Sequence, residues 1–138
     1  MRKDITPFVI PWWNEHAEDT GFPPIPKDWV PWPDVHSQPS EGVHNKLCFF
    51  NSKFANREHG HPIILGVHFG RSAIMNMLQG GMPKRLPYAH AVNLDPQGRI
   101  VDLTWGHAQM VGLMIGRAFA IAPTMDLKTY CSDLGFTE

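Results

Sequence analysis

Prolines and tryptophans are concentrated at the start of the chain, and this concentration limits the folds that the sequence can adopt. Eight of the thirteen prolines and four of the five tryptophans lie within residues 1–40. Because proline disfavours helix interiors and central strands, this arm is expected to form turns and extended segments. Burial of tryptophan is strongly favourable, so we expect the arm to wrap irregularly around the rest of the domain. Its tryptophans either pack or line a substrate cleft, and the candidates are Trp12, Trp13, Trp29 and Trp32.

Length and composition indicate one globular domain over residues 1–138, with its core at 41–138. The formal net charge is −1 and the basic residues are scattered, so nucleic acid is not an expected partner. The first apolar stretch is short and contains prolines, which argues against a signal peptide, and no segment predicts a membrane span. We therefore expect a cytoplasmic protein with no membrane partner, in which Cys48 and Cys131 are free thiols.

Periodicity beyond residue 40 predicts an alternation of helices and strands. Apolar residues recur at helical spacing over 45–57, and Asn45 is expected to be the N-cap of that helix. A β-branched run predicts a strand at 61–69. The further elements expected are a helix at 71–81, strands at 87–94, 99–105 and 111–122, and a helix at 124–135 capped by Thr124.

The turn at 95–98, Asp-Pro-Gln-Gly, decides which side chains of the predicted hairpin share a face. A plain two-residue loop would place His90 and Asp102 on opposite faces, because strand side chains alternate. A type I turn followed by a bulged glycine pairs Asp95 with Arg99, and His90 and Asp102 then become diagonal neighbours on one face. Proline and glycine at their positions in this turn favour the second register.

Cys48, His90 and Asp102 are the residue types that a thiol acyl-transfer site requires. A helix N-terminus and a neighbouring imidazolium stabilise a thiolate, and Cys48 falls in the first turn of the predicted helix. His90 would act as general base and acid, and Asp102 would hold the imidazole tautomer. The backbone N–H of Cys48 is the first oxyanion donor that we expect. The second donor is left open, with three candidates: Asn45, His44 and Gln38.

Four short motifs surround the candidate catalytic residues. They are CFFNS at 48–52, IILGV at 63–67, HA at 90–91 and DLTW at 102–105. In this combination the chain resembles the transglutaminase-like branch of the papain-like cysteine hydrolases, especially small bacterial and phage members. That group shares Cys-x-x-Asn-Ala at a helix start, a strand ending in glycine and a small or apolar residue, then His-Ala and Asp-Pro-Thr-Trp. Alanine and proline of these motifs are replaced here by serine and leucine.

The resemblance implies an α+β fold in which the cysteine-bearing helix packs on an antiparallel sheet, with histidine and aspartate on adjacent strands. It implies a hydrolase or acyltransferase with a Cys-His-Asp triad, without cofactor or metal. The substrate would carry an amide or related acyl bond in a peptide, protein or small molecule. Peptidase, amidase, deamidase and transglutaminase-type activities are all open. Trp105, in the last motif, is a further substrate-binding candidate beside Trp12 and Trp13.

Two other interpretations of the sequence are open. The chain contains eight histidines, and Glu58, His59 and His61 lie close together as possible zinc ligands, although no known motif spacing is completed. In the second interpretation the tryptophans of the arm bind a peptide or protein partner and the thiol is incidental. Stoichiometric zinc would contradict the thiol mechanism, and an unreactive Cys48 would favour the binding module.

Overall fold

A computed structural model describes residues 6–32, 36–37, 47–104 and 112–137. The described helices are α1 (Thr6–Thr20), α2 (Cys48–His59), α3 (Arg71–Leu78) and α4 (Leu127–Asp133). The described strands are β1 (Val30–Trp32), β2 (His36–Ser37), β3 (Ile63–Gly70), β4 (Tyr88–Leu94), β5 (Ile100–Asp102) and β6 (Gly112–Phe119). These elements form an α+β fold, as expected.

All six described strands belong to one sheet, in the order β1-β6-β3-β4-β5-β2. Neighbouring strands are antiparallel, except that the two-residue β2 runs parallel to β5. β3 and β6 form the longest pair, with eight residues each. They approach closely where Gly66 faces Gly116, because a Cβ at Gly66 would lie 2.0 Å from the carbonyl oxygen of Ile115. The sheet therefore requires glycine at this position.

Alternation of side chains along the strands gives the sheet two faces with separate apolar clusters. The first face carries Leu65, Ala91 and Ile115, and all four described helices contribute to its cluster. The second face carries a smaller cluster of Ile64, Val92, Ile100 and Met114, against which Trp32 and Leu94 pack. None of the helices that the structure describes contributes to this second cluster. The helices therefore cover one face of the sheet.

The prediction of an irregular arm is wrong for residues 6–20, which form α1 with Pro11 inside it. Val9, Trp13 and Ala17 recur every four residues and are buried in the cluster of the first face. An interior proline costs a helix about 3 kcal/mol, whereas burial of about 200 Å² of a tryptophan side chain contributes about 5 kcal/mol. The burial of Trp13 thus outweighs the hydrogen bond lost at Pro11.

Two tryptophans of the arm are core residues. Trp13 is fully buried, meets Phe69 edge to face with ring centroids 5.3 Å apart, and donates from Nε1 to the Pro23 carbonyl. Trp29 is also buried, and its ring centroid lies 5.3 Å from that of Phe136. A fully buried indole has no surface to offer to a substrate or a partner. This corrects the hypothesis that Trp13 lines a substrate cleft.

α2 begins later than predicted, at Cys48. Its N-cap is Leu47, which contributes no side-chain cap, so the prediction of Asn45 as N-cap is wrong. Asn45 itself lies outside the described residues, and a cap at Leu47 starts the helix two residues later than a cap at Asn45 would. Cys48 does lie in the first turn, as predicted. The helix ends at Gly60, whose φ of 70° is in the left-handed region that glycine tolerates.

The hairpin of β4 and β5 has the register that its turn predicts. Asn93 lies opposite Val101, and the N–H of Asp95 donates to the carbonyl of Arg99 at 2.9 Å. Gly98 has a φ of 79°, and its N–H donates to the Asp95 carbonyl at 2.9 Å. The predicted register, with a bulged glycine at Gly98, is therefore confirmed.

α4 begins later than predicted because its N-cap is Asp126. The Asp126 carboxylate accepts hydrogen bonds from the N–H and the hydroxyl of Thr129, at 3.3 and 3.0 Å. Thr124, the expected cap, lies outside the helix. β3, α3 and β6 match predicted elements, with ends shifted by a few residues. Within the described residues, no helix is both long enough and apolar enough to cross a membrane.

Candidate active site

A histidine and an aspartate form a fully buried pair on the second face of the sheet. His90 lies on β4 and Asp102 is the last residue of β5. Nε2 of His90 donates a hydrogen bond to Oδ2 of Asp102, and neither side chain has exposed surface. The diagonal contact predicted from the hairpin register is therefore present.

The Asp102 carboxylate is held in a single orientation. Its other oxygen, Oδ1, accepts a hydrogen bond from the N–H of Thr104 at 2.7 Å. Aspartate often makes this local bond to the backbone two residues on. Because a carboxylate accepts and does not donate, Nε2 carries the proton of the neutral His90 ring, and Nδ1 is then its basic nitrogen.

Helix α2 is connected to this pair through Thr104. Nδ2 of Asn51 donates a buried hydrogen bond to Oγ1 of Thr104 at 2.9 Å. Asn51 lies three residues after Cys48 in α2, and residues at that spacing share a helix face. A continuous path of hydrogen bonds therefore runs from the His90–Asp102 pair to the first turn of α2.

Cys48 is the first residue of α2 and is 3% exposed. α2 packs on the first face of the sheet, whereas His90 belongs to the second face, because side chains of β4 alternate. In the described residues β5 pairs with β4 only at Asn93 and Leu94, so the other end of this β4 edge has no described strand beside it. Thr104 lies past the end of β5, and its hydrogen bond with Asn51 connects α2 to this end of the pair.

Tyr88 is a further side chain of the second face that contacts this site. Its ring meets the ring of His90 at a centroid distance of 5.6 Å and an interplanar angle of 70°. Burial raises the pKa of the Tyr88 hydroxyl, and the negative charges of Asp102 and of a Cys48 thiolate raise it further. The hydroxyl therefore stays protonated at neutral pH and lies within electrostatic range of both Cys48 and Asp102.

His68 completes a group of three rings on the second face. It is fully buried, and its ring centroid lies 5.3 Å from that of Tyr88 and 6.1 Å from that of His90. Sequence reasoning missed both Tyr88 and His68. Alternation of side chains along a strand predicts that Tyr88, two residues before His90, lies on the same face. The position of His68 beside Tyr88 depends on the register of β3 and β4, which cannot be predicted from the sequence because a long connection separates the two strands.

Of the other predicted site residues, the two that the structure describes, Trp12 and Trp13, do not join this group. Trp12 is half-buried on α1, where its ring stacks on His16 with centroids 4.1 Å apart. α1 packs on α3 and β1, and β1 is at the edge of the sheet opposite to β5 and β2. Four candidates lie outside the described residues: Gln38, His44, Asn45 and Trp105.

The possible zinc ligands at the end of α2 have other contacts. The rings of His59 and His61 have centroids 5.6 Å apart, while the Glu58 carboxylate pairs with Arg57 at 3.2 Å. Across the part of the chain that the structure describes, no group of three or more His, Cys, Asp or Glu side chains could hold a metal ion. The described residues therefore provide no ligand set that would support the metal-binding interpretation.

Comparisons of the chain with protein-family models, with curated proteins and with solved structures gave no match. Side-chain geometry and the motifs of the sequence are therefore what indicates a function for this chain. A buried His–Asp pair, linked to the N-terminus of a helix that begins with cysteine, is an arrangement that can activate a thiol.

Proposed function

We propose that the chain is a cysteine-dependent acyl-transfer enzyme of the transglutaminase-like or papain-like type, acting on an amide or related acyl bond. The observation that carries this proposal is the buried His90–Asp102 hydrogen bond, linked through Thr104 and Asn51 to the helix that begins at Cys48. Taking an imidazole and a carboxylate out of water costs free energy, and such buried pairs are concentrated at functional sites.

The first half-reaction transfers the acyl group to sulfur. Nδ1 of His90 accepts the proton of Cys48, and a sulfur lone pair attacks the carbonyl carbon of the substrate. A C–S bond forms while the carbonyl π electrons move to oxygen, which accepts a hydrogen bond from the Cys48 N–H. When this intermediate collapses, the carbonyl re-forms, the C–N bond breaks and His90 gives its proton to the leaving amine.

The second half-reaction releases the acyl group to water or to an amine. Nδ1 of His90 takes a proton from the incoming nucleophile, which attacks the thioester carbon. The C–S bond then breaks, and the proton on His90 returns to the sulfur of Cys48. Asp102 accepts from Nε2 throughout and stabilises the imidazolium. Peptidase, amidase, deamidase and transglutaminase-type activities all use these same steps.

Acylation by p-nitrophenyl acetate tests this proposal without knowledge of the natural substrate. We expect peptide mapping to find an acetyl group on Cys48 in the unmodified protein and in Cys131→Ala, which removes the other buried thiol. Cys48→Ala should release p-nitrophenolate no faster than buffer does, while its melting temperature shows that it is folded. Equal acetylation of the two cysteines, or an unchanged release rate in Cys48→Ala, would contradict the proposal.

A further inference from the structure

A groove between α2 and α4 is not used by the proposed chemistry. Its volume is about 280 Å³. The apolar part of its lining consists of Leu47, Phe49, Phe50, Phe54 and Leu127. Phe50 is 52% exposed, and Leu47 and Phe54 are also exposed, so the α2 side of the groove presents a stripe of large apolar side chains to solvent. Contiguous exposed apolar surface of this kind marks binding sites more often than it occurs by chance.

The rim of this groove is positively charged. Lys53, Arg57 and Lys128 line it, and among the described residues Asp126 is its only acidic lining residue. The Asp126 carboxylate already accepts hydrogen bonds as the N-cap of α4. Within the described residues, neither Lys53 nor Lys128 forms an ion pair. Arg57 pairs with Glu58, so the groove combines an apolar floor with two lysines that no described carboxylate neutralises.

We propose that this groove binds an acidic, apolar peptide segment of the substrate, with large apolar side chains on the floor and carboxylates at Lys53 and Lys128. Its role in substrate binding rests on the proposed function, because the groove begins at Leu47, the residue before the proposed nucleophile Cys48. A segment lying along α2 then has one end at the turn that carries the thiol. The substrate is accordingly a peptide or protein rather than a small amide.

The shape of the groove favours a peptide over an anionic bilayer. A flat lipid surface cannot fill a concavity between two helices, whereas one or two apolar side chains can. The volume of about 280 Å³ is at the small end of the range for ligand sites, which suits a short segment rather than a large cofactor. The lysine side chains at the rim then favour acidic residues beside the apolar side chains of the bound peptide.

Fluorescence anisotropy with a dye-labelled peptide, Gly-Glu-Asp-Phe-Leu-Asp-Glu-Gly, tests this binding on the full chain. We expect the peptide to bind, with an affinity that falls as salt is added, because the rim contacts are exposed ion pairs. Two control peptides carry lysine in place of the acidic residues or serine in place of Phe-Leu, and neither should bind. Measurement on Cys48→Ala as well as on the unmodified protein separates binding from turnover.

Matched variants of the protein identify the site. Lys53→Glu combined with Lys128→Glu should weaken binding about tenfold or more, since two attractions become repulsions. Lys84→Glu changes an exposed cation away from the groove and should leave the affinity within about twofold. Phe50→Ser should also weaken binding, whereas Ile121→Ser, at a side chain that is 83% exposed elsewhere, should not.

Several outcomes would overturn the groove proposal. These are no binding of the acidic apolar peptide, equal losses in the groove variants and in their controls, or cosedimentation with phosphatidylcholine–phosphatidylglycerol vesicles in place of peptide binding. A reactive Cys48 without peptide binding would overturn this proposal and leave the proposed function standing. Specific peptide binding with an unreactive Cys48 would overturn the proposed function while the binding site remains.

Discussion

The two faces of the sheet differ in what covers them and in the side chains that they carry. The first face is largely apolar, although the buried Asn93 donates from it to the Ser52 carbonyl, and all four described helices contribute to its cluster. The second face has a smaller apolar cluster, and beside it lie the fully buried polar side chains of His68, His90 and Asp102. Buried polar groups contribute less to stability than apolar groups of the same size. The first face therefore stabilises the fold, and the second carries the proposed chemistry.

α2 is the element that connects these two functions. Its apolar residues pack on the first face, while Asn51 reaches Thr104 and thereby the His90–Asp102 pair. Variants of the polar side chains on the second face should therefore alter the reactivity of Cys48 more than stability, and variants of the apolar side chains on the first face should do the reverse.

His90→Gln should have the largest effect. Loss of the general base and of the ion-pair partner of the thiolate should lower the rate of Cys48 acylation by p-nitrophenyl acetate about 10⁴-fold, the upper end of the range for such groups. The matched control is His59→Gln, which replaces an exposed histidine of α2. It should keep the rate of the unmodified protein. If both variants acylate at that rate, the second face has no catalytic role.

Trp13→Ala should lower the free energy of unfolding by about 3 to 5 kcal/mol, because it removes a fully buried indole from the first face. Urea denaturation measures this loss. Trp12→Ala, at a half-buried indole of the same helix, should lose less. In buffer without urea, where Trp13→Ala is folded, p-nitrophenyl acetate should acylate Cys48 of this variant at the rate of the unmodified protein. A large change in that rate would contradict the claim that the first face determines stability and the second determines the reactivity of Cys48.

Gly66→Ala should cost about 2 kcal/mol of stability, since the new methyl group would meet the Ile115 carbonyl at the β3–β6 contact. The suitable control is Gly70→Ala, where an added Cβ meets nothing within 4 Å. Thermal denaturation of the two variants compares the positions directly. Equal melting temperatures would show that the strands can move apart without loss, against the tight approach described above.

Thr104→Val should have the smallest effect, a loss of about 1 to 2 kcal/mol, because Nδ2 of the buried Asn51 loses its acceptor. Acylation of Cys48 should also slow, since this bond links α2 to the Asp102 loop. A double-mutant cycle with Asn51→Ala isolates the contribution of the hydrogen bond. Full additivity of the two substitutions would show that the bond contributes nothing to either property.

The parts of the fold that could be predicted from the sequence are those set by local chemistry. The β4–β5 register follows from the turn at 95–98, so the contact of His90 with Asp102 could be predicted before any tertiary structure was known. α1 could not, because the burial of Trp13 against the distant Phe69 overrides the local effect of proline. His68 likewise depends on a long-range strand register.

The exact ends of helices, too, cannot be predicted from local sequence alone. Residue preference alone favours Asn45 and Thr124 as N-caps, whereas the caps in the structure are Leu47 and Asp126. Residue preference locates a helix end to within a few positions, and packing of the helix on the sheet then selects the residue. The predicted position of Cys48 does not depend on the cap, because Cys48 lies in the first turn with either residue as N-cap.

The rate of iodoacetamide labelling at neutral pH, measured for each cysteine by peptide mapping, tests the central claim most directly. Cys48 and Cys131 are 3% and 1% exposed, so burial alone predicts slow and similar labelling of both. The account predicts that Cys48 reacts about tenfold faster or more, because the helix N-terminus and the His90 imidazolium stabilise its thiolate. It also predicts that His90→Gln abolishes this difference. Equal, slow labelling of the two thiols in the unmodified protein would contradict the account.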